Sequence, residues 1–388
     1  MKPFDLTTCR SKLEGHYLKT STVPTSVWCK KAVVDIHQIY TRLSFVKDPE
    51  KTPVGTTQSE PTSFPGFSPT RPTEREFSLS RSVGRVGENP GNKVESELKH
   101  YSDLFTANKN GVIPKRILVQ GQTGIGKSTF VKKLLVDWIE VNEGNGDEQA
   151  AVLKNFELVV AVNLKEVSKC QSLVDVIRKS NVFAKEDKYM TEGLVDYISN
   201  NQEKVLLIFD GYDEYRIRSN SEICEIFCGN SLSSCCVLIT TRISKADELR
   251  GSEDLHAEIT GFSEVDREHF MRRFLSSDEV SRLRSQILSN RGLRELAKVP
   301  LLLLFLCTLW KEGQSNHFAE TKTMLYMDII EFVLNHSYRK QLSTGYVEVA
   351  NFKDILCEMG KVALQGLLKD DHFFRYSQLD SVLCDESV

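Results

Sequence analysis

The chain has 388 residues, of which 40% are apolar and 27% charged, and it carries a net charge of −3 at neutral pH. That length accommodates two or three globular domains. The charge balance excludes a general polyanion binder, because no basic run exceeds two or three residues, and no nucleic-acid partner is expected. Met1–Arg10 lacks the apolar core of a secretory signal, and the longest apolar run, Val299–Trp310, is about a dozen residues against the roughly 20 a membrane span needs. The expectation is a cytoplasmic protein without a membrane span, its ten scattered cysteines reduced. Cys224, Cys228, Cys235 and Cys236 form the one cluster, and their spacing matches no common zinc pattern.

In chain order, residues 1–47 form a lead-in segment of mixed pattern, ordered-looking over Val27–Phe45. Trp28 and Tyr40 read there as core anchors rather than base contacts. Residues 48–92 are rich in Pro, Thr, Ser and Gly, with too little apolar surface to offset the entropy of ordering, and predict a flexible linker. Val94–Phe105 then predicts a helix with Leu98, Tyr101, Leu104 and Phe105 on one face. Short apolar runs alternate with helical patterns after it. Arg116–Val119, Phe156–Leu164, Lys204–Asp210, Cys235–Thr241 and His256–Ile259 predict strands. Helices are predicted from Lys127, around Ser172–Lys179 and around Thr191–Ser199, and the pattern is helical from Ser263 onward. Continuously apolar strands bounded by helices predict an α/β fold with a five-stranded parallel sheet covered on both faces.

Between the first of these strands and its helix lies GQTGIGKSTF, which fits G-x-x-x-x-G-K-[ST]. The glycines let backbone N–H groups turn inward where a side chain would block them, and the helix N-terminus adds unpaired N–H groups and partial positive charge. Gly121, Gln122, Thr123, Gly124, Ile125 and Gly126 thus form a socket for phosphates. Lys127 reaches the β- and γ-phosphates, Ser128 ligates Mg²⁺, and Thr129 supports the α-phosphate. Further on, LLIFDGYDEYR ends an apolar strand with Asp210, positioned to hold the Mg²⁺ shell from the carboxyl end of a neighbouring strand. Asp213 or Glu214 can orient or deprotonate an attacking water. Arg242, closing VLITTR, can sense the γ-phosphate or stabilise its charge in the transition state.

Together these three motifs resemble the NACHT family of signal-transducing NTPases, most specifically in the small residue after Asp210 and the acidic pair Asp213–Glu214. The resemblance extends from about Val23 to Leu368, the linker excepted, and upstream of the P-loop it is to invertebrate NOD-like receptors. It divides the chain into the nucleotide-binding domain at 93–260, a first helical domain at 261–340 and a partial winged-helix domain at 341–388. LRELAKVPLLLLFLC is similar to the family's proline motif, which implies that Pro300 approaches the nucleotide, although Lys298 stands where many relatives have glycine. Members continue to a histidine on the β-phosphate of ADP and to a repeat domain. The sequence reaches Val388 before either, and neither His336 nor His372 lies in a matching context, so it reads as a fragment, an incomplete gene model or a shortened member.

The resemblance implies a switch run by ATP/ADP with Mg²⁺, slow in hydrolysis, that self-associates on activation and signals to partner proteins in innate immunity or cell death. A continuously turning-over ATPase motor and a binding-only nucleotide scaffold are the rivals. The motor requires a second arginine across a ring interface, which the sequence does not identify, and the scaffold has no use for a water-orienting carboxylate.

Overall fold

The computed structural model describes residues 4–24, 33–47, 97–108, 110–180, 182–183, 188–216, 221–311, 323–332 and 352–368. The expected linker, Trp28, His336, His372 and most of the 341–388 segment lie outside the described residues. The chain divides into two compact units, residues 1–314 and 315–388.

The first unit opens with helix α1 (Leu6–Thr20), the two-residue strands β1 (Val23–Pro24) and β2 (Val33–Val34), short helix α2 (Ile36–Ile39) and strand β3 (Ser44–Lys47). Strand β4 (Glu97–Leu98) and a 3₁₀ turn at Tyr101–Phe105 follow. The alternating core is β5 (Arg116–Gly121), α3 (Lys127–Glu143), β6 (Leu158–Asn163), α4 (Leu173–Lys179), α5 (Lys188–Asn200), β7 (Val205–Asp210), α6 (Glu222–Phe227), β8 (Cys236–Thr241), α7 (Ile243–Ala246) and β9 (Leu255–Gly261). A helical layer completes the unit: α8 (Glu264–Met271), α9 (Ser277–Ser289), α10 (Arg291–Ala297) and α11 (Pro300–Lys311). In the second unit the described residues form helices α12 (323–332) and α13 (Phe352–Leu368). None of the described helices is long and apolar enough to cross a membrane.

The main sheet has seven strands in the order β4-β3-β9-β5-β8-β7-β6. From β9 to β6 all pairings are parallel, whereas β3 pairs antiparallel with both β9 and β4. The sheet is therefore mixed and wider than the five strands expected. The additions are β4 and, from the lead-in segment, β3: Ser44–Lys47 pairs with 257–261 of β9, more than two hundred residues away in sequence. Such a pairing is set by the site of docking and leaves no local period to read. The expected helix over Val94–Phe105 is also corrected. Its described part is strand β4 and the 3₁₀ turn, whose start is fixed by a reciprocal capping box between His100 and Asp103. Tyr101, Leu104 and Phe105 are buried as the apolar spacing required, but the face belongs to a single turn of helix.

Burial explains the central strands. All six residues of β5, β7 and β8 are buried, consistent with a sheet covered on both faces. Helix α3 crosses one face through Phe130, Leu134, Leu135 and Trp138, and the Trp138 indole N–H donates to the Phe156 carbonyl at 2.9 Å. Gly144 ends α3 in the left-handed region, φ 84°, with its N–H on the Glu140 carbonyl.

Helix α1 solves an edge problem at β6. That strand pairs on one side alone, so its outer N–H and C=O groups would otherwise be left to solvent or to another chain. The buried Tyr17 hydroxyl donates to the Val159 carbonyl and accepts from the Ala161 N–H, each at 3.0 Å. Arg10 of the same helix lies 4.9 Å over the Trp138 ring. Replacing Tyr17 with Phe leaves both backbone groups buried without that partner, so unfolding free energy should fall by about 1–3 kcal/mol with an unchanged urea dependence. An unshifted midpoint in urea denaturation would show that the hydroxyl does not seal this edge.

Candidate nucleotide site

The loop between β5 and α3 is shaped by backbone that only glycine adopts cheaply. Gly124 has φ +77° and Gly126 φ +105°. A Cβ at Gly124 would stand 2.9 Å from the Leu301 Cβ, and one at Gly126 would stand 3.1 Å from Leu43. The loop is thus packed between the helical layer on one side and the lead-in segment on the other. The contact with the helical layer includes a hydrogen bond, Leu301 N–H donating to the Gly124 carbonyl at 3.3 Å.

A cavity of about 390 Å³ opens over this loop at the carboxyl ends of the parallel strands, where open α/β sheets place ligands. Thr123 to Thr129, Asp210, Asp213, Glu214, Arg242 and Pro300 all line it. Gly121 and Gln122 do not line it; their carbonyls receive the Lys127 ammonium at 2.7 and 3.1 Å. Burial holds the Lys127 pKa below the usual lysine range, with Asp213 the main opposing charge. Asp210 is displaced the other way: burial raises its pKa, against hydrogen bonds from Ser128 and Thr240 and the Lys127 charge. Burial thus disfavours the charged form of both groups.

Asp210 ends β7, and β8 lies between β7 and the P-loop strand β5. The expectation of an immediate neighbour is corrected: the carboxylate reaches the loop across one intervening strand, and Ser128 hydrogen-bonds to it there. Thr240 of the intervening strand, fully buried, donates to Asp210 Oδ1 at 2.5 Å and accepts the Gly211 N–H at 2.9 Å. Arg242, just past the end of β8, pairs with Asp213, Nε to Oδ2 at 2.6 Å. Glu214 pairs with Lys165, Oε2 to Nζ at 3.0 Å. Ser128 and Asp210, the two residues expected to hold Mg²⁺, meet in a hydrogen bond and both line the cavity. Sequence reasoning missed Thr240 and Lys165. The TTR terminus of the strand hinted at the first through its alternation, and nothing local marked the second.

Much of the rest of the lining is apolar, including Ile39, Tyr40, Leu43, Phe262, Phe270 and Leu304. Tyr40, expected to be a core anchor alone, lines the cavity. Its carbonyl accepts from Arg273 at 2.8 Å, and Lys133 lies 5.8 Å over its ring. Next to it Thr41 is 7% exposed, and its hydroxyl has no hydrogen-bond partner among the described residues. An orphaned hydroxyl in a cavity wall fits a ligand with polar edges on an apolar ring.

Pro300 opens α11 at its first position, where a missing N–H costs nothing. Lys298 has φ −66° and ψ −28°, ordinary right-handed backbone, so the glycine of many relatives is not required. Its carbonyl accepts the Phe262 N–H at 2.9 Å, while its side chain pairs with Glu295.

Residues 115–278 match the family model described as the NACHT domain. NLR family CARD domain-containing protein 4 of Xenopus tropicalis is 25% identical over 266 residues, covering 68% of this chain and 25% of that protein. NACHT, LRR and PYD domains-containing protein 1 homolog of Danio rerio is 22% identical over 293 residues, covering 70% of this chain and 20% of that protein. The chain spans a quarter or less of the length of these relatives. Among solved structures, the Thermotoga maritima RuvB Holliday junction branch migration motor superposes with a TM-score of 0.29 at 8% identity, over 57% of this chain and 62% of that one.

Thr240 gives this region a direct test. Thr240→Val keeps the shape but leaves Asp210 Oδ1 and the Gly211 N–H without that partner, so stability should fall by about 1–3 kcal/mol in denaturant titration. Thr240→Ser should recover most of it, and equal stabilities for Val and Ser would remove the hydroxyl from the account.

Proposed function

We propose that this chain, whose residues 115–278 form a NACHT domain, is a signalling switch that binds ATP with Mg²⁺, hydrolyses it slowly and responds to the exchange of ATP for ADP. One observation carries the reading: the phosphate loop is hydrogen-bonded to the start of α11 through Gly124 and Leu301. A ligand that reshapes the loop therefore bears on the helical layer, and two nucleotides with different contacts bias one equilibrium differently.

The residues divide the work along the cavity. Backbone N–H groups of the loop and of the start of α3 would receive the phosphates, and Lys127 would exchange its two loop carbonyls for phosphate oxygens. Ser128 and Asp210 would hold Mg²⁺, which would supply charge neutralisation to the phosphates when bound. One of the acidic pair, Asp213 or Glu214, orients water, and Arg242 meets the γ-phosphate end. Adenine rather than guanine suits the apolar part of the lining, because the carboxylates that line the cavity, Asp210, Asp213 and Glu214, all stand at the phosphate end. Guanine's ring N–H and amino donors would find no carboxylate among the apolar walls there, whereas Thr41 offers a hydroxyl that can donate or accept.

Kinship with NLR-family proteins supports nucleotide-dependent self-association and a role in innate immune or cell-death signalling, with signalling proteins as partners. An ATP-dependent shift in size by light scattering, absent with ADP, is the expected result, together with single-turnover hydrolysis over minutes. Many turnovers per minute would instead assign a motor, and tight binding without cleavage a scaffold. Lys127→Ala should lose co-purifying nucleotide, and a variant that retains it would overturn the phosphate assignment. Glu214→Gln should bind ATP normally and cleave it about a hundredfold or more slowly; undiminished cleavage would exclude Glu214 from the mechanism.

A further inference from the structure

The acidic turn after β7 carries two carboxylates with different cation partners. Asp213, 8% exposed, meets Arg242 with both oxygens: Oδ2 lies 2.6 Å from Arg242 Nε, and Oδ1 accepts the Arg242 backbone N–H at 3.2 Å. Glu214, 27% exposed, has Oε2 on Lys165 Nζ at 3.0 Å, and its Oε1 stands 3.9 Å from Arg242 Nη2, outside hydrogen-bond reach. One acid therefore fixes the backbone and side chain of an arginine. The other keeps an oxygen clear of it.

The direction of the Arg242 contact matters. A guanidinium has two hydrogen-bonding edges, and Asp213 takes Nε. The Nη groups remain for an anion, and Arg242 and Asp213 line the same cavity as Lys127. An unanchored arginine would forfeit rotamer entropy on meeting a phosphate, and one already held by a buried charge-assisted bond forfeits less. For Asp213 to receive a water proton as well, its oxygens would have to share the charge that holds Arg242.

We propose that Asp213 is a positioning residue for Arg242, and that this pair sets how strongly the site distinguishes a nucleoside triphosphate from a diphosphate, while the water-orienting role falls to Glu214 alone. The inference rests on the phosphate-site reading above and assigns a role within it.

The test is a double-mutant cycle on the whole chain. Dissociation constants for ADP and for the non-hydrolysable analogue AMP-PNP are measured by calorimetry for the parent, Asp213→Asn, Arg242→Ala and the double variant, each checked for folding by circular dichroism. Arg242→Ala should move the AMP-PNP-to-ADP affinity ratio about tenfold toward the diphosphate, the loss of one charged hydrogen bond. Asp213→Asn should move it the same way by a comparable factor, and the double variant should be no worse than Arg242→Ala. Glu214→Gln should leave the ratio unchanged while abolishing cleavage. If Arg242→Ala shifts the ratio and Asp213→Asn does not, or if the two effects multiply in the double variant, the positioning role is wrong and the phosphate site stands. If Arg242→Ala itself leaves the ratio alone, the role of Arg242 fails and the positioning role with it. If the parent binds neither nucleotide, the underlying reading fails. Should Asp213→Asn not fold, Asp213→Glu provides the same readout, because a longer acid that keeps the charge but displaces Arg242 should shift the ratio, and an unchanged ratio would count against the proposal.

Discussion

The site depends on the seating of a loop without side chains against the first turn of a helix. Gly124 has no Cβ, and Leu301 fills the space where one would be. The Leu301 N–H, one of the amides a helix start leaves unpaired, finds its acceptor in the Gly124 carbonyl. A similar closeness recurs at Gly261, φ +101°, where a Cβ would lie 2.2 Å from the Lys298 carbonyl oxygen. That carbonyl takes the Phe262 N–H instead. Two glycines thus bring the α10–α11 junction onto the sheet, and the cavity is the space left between them.

Electrostatics decide what can enter that space. Asp210, Asp213 and Glu214 stand close to Lys127 and Arg242, and Lys165 adds a cation from the end of β6. Burial works against charge on both Lys127 and Asp210, and neighbours of opposite sign work for it. This is also why the local hydrogen bonds matter: Thr240 on Asp210 and the Lys127 bonds to loop carbonyls keep the charged groups satisfied.

The glycine-rich side of the cavity was legible in the sequence because its residues are close in the chain. The loop, its lysine and the start of α3 are consecutive, and Asp210 and Arg242 are read from where apolar strands stop. The strand order was not legible, and so Asp210 was placed beside β5 when β8 separates them. The base end was hidden for a different reason. Tyr40 and Thr41 sit in a short irregular stretch between the four-residue elements α2 and β3, too brief for any periodicity. Their place is fixed by pairing with β9, and a pairing so distant leaves no trace in composition. Tyr17 illustrates the same limit, since one tyrosine in a polar helix gives no sign that its hydroxyl closes a strand edge.

The end of β9 is where these constraints meet. Gly261 pairs with Ser44 of β3, just past the base-end residues 39–43, and a Cβ there would also press on Ile125 of the phosphate loop at 3.0 Å. The next residue, Phe262, lines the cavity and is tied by its N–H to Lys298. A second tie runs from the helical layer to the base end, from Arg273 to the Tyr40 carbonyl. Base wall, phosphate loop and helical layer are therefore three separate lengths of chain held at one strand end by contacts too close to stretch. Interiors packed to that density yield by switching between arrangements rather than by bending. A shift in the loop would have to be answered by the wall or the layer, and that makes the junction around Gly261 the mechanical centre of the first unit.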